Sequence, residues 1–184
     1  MPTPSHTPSP EFAAAYCALK LDGLAYEMEI TKKVFGAVPD SRSDYRPDPH
    51  ARTAWELAWH IANADVQFLD AIADLKFTMD TGEPGRADKP TNVAELVAWY
   101  DREMKRGIGR VRAMSPEQLA TPIDFLGVFN LPAAFYLQFL NNHSIHHRGE
   151  LVTYLRPMGS KVPQIYGGSY DEPFQMPAPK NTAA

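Results

Sequence analysis

Cysteine is nearly absent from this sequence. Cys17 stands alone among 184 residues, which excludes an intramolecular disulfide and any zinc site built from several thiolates. A chain that relies on neither suits a reducing compartment, and the cytoplasm is the expected location. Basic excess is also missing: 18 Lys and Arg stand against 22 Asp and Glu, a net charge of −4. With its arginines scattered rather than striped, the chain offers no field for a phosphate backbone, so nucleic acid is not an expected partner. No run approaches the roughly 20 apolar residues that cross a bilayer, so no membrane span is expected. The opening "MPTPSHTPSPEF" has neither the basic start nor the apolar stretch of a signal peptide. Its prolines predict a short extended arm over residues 1–10. A Gly-rich phosphate loop and a G-x-S-x-G elbow are absent too, which leaves nucleotide and serine-hydrolase chemistry without local support.

What remains is 44% hydrophobic and 22% charged, a globular composition of one-domain length. Four segments carry helical periodicity, and Pro, Gly, Asp and Ser punctuate them. They are predicted at about 11–35, 51–77, 93–114 and 131–155. Thr91 or Asn92 would cap the third, Gly107 and Gly109 would weaken it, and a short helical turn could follow Ser115. No β alternation of useful length is evident. The expected fold is all-α, an antiparallel four-helix bundle over 11–157. Residues 158–184, rich in Pro and Gly yet bearing Ile165, Tyr166, Tyr170, Phe174 and Met176, are expected to pack back on the bundle or on a neighbouring subunit, with only the last few loose.

Half of the six histidines fall within "HSIHH", residues 143–147. At about 100° per residue, His143 and His147 share a helix face with Tyr136, Leu140, Leu151 and Tyr154, their Cβ atoms roughly 5–6 Å apart. His146 turns aside, beside the pair or toward solvent. A tight site needs a further ligand from another helix. His60, in "ELAWHIANAD", borders the apolar stripe of the second segment, with Glu56 one turn before it. Three neutral imidazoles around a divalent cation leave a position for water or substrate. The competing reading is ordinary: a His on a half-apolar face is commonly a hydrogen-bonded core residue. His6 and His50 lie in Pro-rich stretches and are not candidates. Glu150, on the face of His147, has three roles open to it: ligand, general base, or surface partner of His146. Ser144 occupies the position where an H-E-x-x-H peptidase carries its base, so that chemistry is excluded.

The pairing of "AWHIANAD" with "HSIHHRGE", carrying His60, His143, His147, Arg148 and Gly149, resembles the DinB-like family of metal-dependent enzymes. The likeness runs from about Glu11 to Pro157, and the "LRPMGSKVPQIYGGSYDEP" ending is similar to one subgroup. The resemblance implies an up-down-down-up bundle, often a homodimer, in which His60, His143 and His147 hold nickel or zinc; His146, Glu56 and Arg148, by their places beside these residues, are the expected supports. It also implies a small-molecule substrate, and chemistry such as thiol-dependent transfer with a low-molecular-weight thiol, or hydrolysis. Glu150 departs from the family's usual Gln at its position, exchanging an amide that donates and accepts for a carboxylate that only accepts. The alternatives are a non-catalytic metal-binding or sensing protein in which the ion staples two helices, and a plain structural bundle.

Overall fold

Ser9 opens the first helix in the computed structural model, which describes residues 8–78 and 88–176. Its hydroxyl accepts from the Phe12 amide, and Pro10 follows where its missing N–H costs nothing. From there α1 runs Pro10–Gly36, α2 Ala54–Ala73, α3 Val93–Arg112, α4 Pro116–Ala120 and α5 Tyr136–Leu155. Four of these five starts have a side-chain cap. Thr53 and Glu56 form a reciprocal capping box on α2, as Ser115 and Gln118 do on α4, and the Asn92 side chain accepts from the Glu95 amide on α3. The expected first residues of the arm, half of the polar turn between the second and third segments, and the expected loose end lie outside the described residues.

Cross-helix contacts fix the topology. Lys32 meets Asp101 and Asp22 meets Arg112, so α1 and α3 run antiparallel. Asp65 meets Tyr100 and Asp74 meets Arg110, so α2 and α3 run parallel. Lys20 meets Gln138 and Thr31 meets Arg148, so α1 and α5 are parallel as well. Phe68 packs on Phe139 and Asp65 bonds Ser144, which sets α2 and α5 antiparallel. The order is up-down-down-up, with α3 and α5 each lying between α1 and α2.

Three expectations need correction. The second helix starts at Ala54 because the capping box fixes it there, and it stops at Ala73 because Leu75 turns left-handed (φ 54°) and the Lys76 amide bonds back to the Ala71 carbonyl. The last helix begins at Tyr136, not Leu131. Residues Phe129–Pro132 instead form strand β2, paired antiparallel with β1, Pro122–Phe125, in the register Ile123↔Leu131 and Phe125↔Phe129. This small hairpin escapes periodicity because each strand has only four residues and prolines close both outer ends. Third, Gly107 supports α3 rather than weakening it. A Cβ there would lie 2.8 Å from Leu69 Cβ and Cδ1, so the glycine permits α2 and α3 to approach. Gly107→Ala is expected to lower the urea midpoint, since overpacking costs about 1–3 kcal/mol against the roughly 1 kcal/mol that Ala gains in a helix. Gly109→Ala, facing open space, should raise it.

The core joins all four long helices around Leu21, Phe35, Leu57, Trp59, Leu69, Leu96, Met104, Leu140 and Leu151, each at most 3% exposed. A polar seam crosses it. Asp65, fully buried, accepts from the Tyr100 hydroxyl (2.7 Å) and from Ser144 Oγ (3.1 Å); burial nevertheless pushes its carboxyl up to about 7. Nearby, Arg148 donates to Thr31 Oγ1 (3.0 Å), to the Glu27 carbonyl (3.2 Å) and to Glu27 Oε2 (2.6 Å). The C-terminal segment docks on the same side: Tyr166 bonds both Arg148 and Glu27, and Ser160 Oγ donates to the Ala37 carbonyl.

Candidate metal centre

His60 sits in the second turn of α2, and His143 and His147 lie one turn apart on α5. The antiparallel packing of these helices brings the three rings into a triangle, with centroids 5.0, 4.8 and 4.6 Å apart. The Nε2 atoms of His60 and His143 face each other at 3.1 Å. One potential ligand atom from each ring falls within 4.8 Å of the others. Tetrahedral coordination at about 2.0–2.1 Å places donor nitrogens roughly 3.4 Å apart, so a small inward shift would suit a cation. All three side chains are half-buried. Burial, together with the neighbouring His147, His60 and His146 rings, pushes His143 down to about 4. It is therefore neutral at physiological pH, as a nitrogen donor must be.

Glu150 reaches the third ring. Its Oε2 lies 3.1 Å from His147 Nδ1, and its Oε1 accepts from the Tyr154 hydroxyl at 3.2 Å. The Tyr154 ring in turn packs edge-on to Tyr45. A carboxylate on Nδ1 selects the tautomer that presents the Nε2 lone pair and strengthens that nitrogen as a donor. Among the roles the sequence leaves open to Glu150, which include general base and support of a ligand, this contact is the supporting one: Glu150 holds a histidine.

The other candidates separate. His146 is exposed, its ring 4.8 Å from that of His147. The Glu56 carboxylate is turned back to the Thr53 amide, committed to the helix cap. Arg148 is committed to Glu27, Thr31 and Tyr166, on the α1 side of α5. Sequence reasoning missed Tyr154 as the second support of Glu150, although their i,i+4 spacing was visible. It also missed Phe68, whose ring stands 6.4 Å from His143, eight residues beyond His60 on α2.

Residues 26–151 match the sequence profile of the DinB superfamily. YrdA of Bacillus subtilis strain 168 is 25% identical over 158 residues, covering 84% of this chain and 92% of its own. YjoA of the same organism is 24% identical over 132 residues, covering 71% and 82%. The crystal structure of YjoA superposes with a TM-score of 0.66 at 20% identity over 80% of this chain and 97% of its own, a likeness in fold. A DinB-like protein from Bacillus cereus ATCC 10987 gives the same TM-score at 27% identity, covering 80% and 95%.

Proposed function

The chain belongs to the DinB superfamily, and from that premise we propose that it is a metal-dependent enzyme that joins a low-molecular-weight thiol to a small electrophile, with hydrolysis as the neighbouring possibility. The observation that carries the reading is the triangle of His60, His143 and His147, half-open to solvent and braced by Glu150. A divalent cation held there, nickel or zinc by the nature of the imidazole set, supplies Lewis acidity that lowers the pKa of a thiol or water at its open position.

The residues themselves divide the remaining work. Glu150 and Tyr154 keep His147 oriented, and His143 stays uncharged through burial. The chain has no nucleophilic thiol to offer: Cys17 is 2% exposed in the core, and burial pushes it up to about 11. The sulfur must therefore arrive on a cosubstrate, which favours thiol transfer over a cysteine mechanism. Overall, an S–H bond of the thiol and a C–X bond of the electrophile are exchanged for C–S and H–X. No helix among the described residues is long and apolar enough to cross a membrane, and we propose a cytoplasmic homodimer as the working form.

Thiol consumption by metal-loaded protein, followed against a panel of alkyl halides, epoxides and activated esters, tests the activity. Chelator-sensitive turnover with at least one electrophile is expected, and Glu150→Ala should weaken metal binding by about 10–100-fold. Tight metal binding with no turnover on any thiol, ester or amide would transfer the reading to the non-catalytic alternative, in which the ion staples α2 to α5.

A further inference from the structure

Five of the chain's nine phenylalanines gather beside the histidines. Phe68 is their buried centre, with ring centroids 5.4 Å from Phe77, 5.4 Å from Phe139 and 5.8 Å from Phe125. Phe125 and Phe129, paired across the hairpin, lie 5.6 and 5.8 Å from Phe139. The cluster is continuous with the imidazoles. Phe139 stands one turn before His143 on α5, and the Phe68 ring is 6.4 Å from His143 at an interplanar angle of 41°.

Two features distinguish this cluster from ordinary core. Four of its five rings are only half-buried, and the hairpin tip extends the apolar surface with Leu126 and Val128, 38% and 62% exposed. That tip also holds Leu126 at φ 55°, immediately before Gly127 at φ 74°. A leucine in the left-handed region carries strain that a second glycine would relieve, and at this position the leucine is partly exposed. Partly open apolar walls beside a few directional polar groups are the usual make-up of small-molecule sites.

We propose that this phenylalanine ledge is the subsite for an apolar group of the substrate, so that the three histidines act on a small molecule bearing an alkyl or aryl substituent seated on Phe125, Phe139 and the hairpin tip. The proposal rests on the metal-dependent reading above and names the substrate class for that same site. Each methylene removed from water is worth about fourfold in affinity, so a benzyl-sized tail has ample scope for selection.

The test uses full-length protein loaded with cobalt(II), whose visible absorption reports a thiol entering the metal's open position. Benzyl mercaptan is expected to bind at least tenfold more tightly than 2-mercaptoethanol. Phe125→Ala, and the surface variant Leu126→Gly/Val128→Asp in case the first fails to fold, should bring that ratio near one with cobalt content unchanged. Equal affinities in the wild type, or a ratio untouched in a folded variant, would overturn the subsite while leaving the metal reading intact. Absence of any cobalt spectrum would overturn the metal reading and the subsite with it. A wild-type dimer that Val128→Asp converts to monomer without altering thiol preference would give the ledge to a second copy, and would equally overturn the proposal.

Discussion

Zinc or nickel at a thousand times its dissociation constant is expected to raise the melting temperature by about 8–16 °C over chelated protein. Binding to the folded state alone contributes roughly 4 kcal/mol at that concentration, and a chain of this size shifts about 2–4 °C per kcal/mol. The unfolded chain cannot compete well, because His60 is separated by 83 residues from His143. His60→Ala/His143→Ala should abolish the shift and the bound metal together. Neither ring is fully buried, so the variant is expected to fold. Calorimetry with elemental analysis of purified protein decides: equal trace metal and equal melting in wild type and variant would mean that no site exists.

The second large effect concerns Arg148. Its guanidinium is 1% exposed and spends its donors on Glu27, Thr31 and Tyr166. Arg148→Met keeps most of the volume but strands the Glu27 carboxylate, whose side chain is only 14% exposed. Removing one partner of a buried ion pair costs about 3–5 kcal/mol, or about 6–20 °C in melting temperature here. Adding Glu27→Gln should recover much of that loss, because the stranded charge disappears with it. Urea midpoints of the two single variants and the double variant complete the cycle. A single Arg148→Met within about 0.5 kcal/mol of wild type would show that the pair is not a structural clamp.

The helices and two of their starts were legible because they depend on local chemistry: Asn92 and Ser115 act within three residues of themselves. The triangle was legible for a related reason. Four-residue spacing fixes the face shared by His143 and His147, and His60 is the one histidine on another of the periodic segments. What escaped depends on the tertiary fold. The direction of Arg148 is set by Glu27, 121 residues away. The role of Glu150 turns on which nitrogen of His147 it meets. The five phenylalanines come from four separate stretches, and the hairpin that carries two of them is too short to leave a period.

The two parallel neighbours, α2 with α3 and α1 with α5, also govern how the chain must find its fold. Parallel helices cannot be joined by a tight turn, and α2 is linked to its parallel neighbour α3 through the long connection 74–92. The first long helix packs against the last, so a growing chain holds half of its pairings in suspense until α5 is made. Such non-local closure slows folding relative to a bundle whose sequential helices simply reverse on one another. Completion of the histidine triangle, which needs α5 in place on α2, should be among the last events in time, and the rate at which metal is captured during refolding should follow the slowest phase.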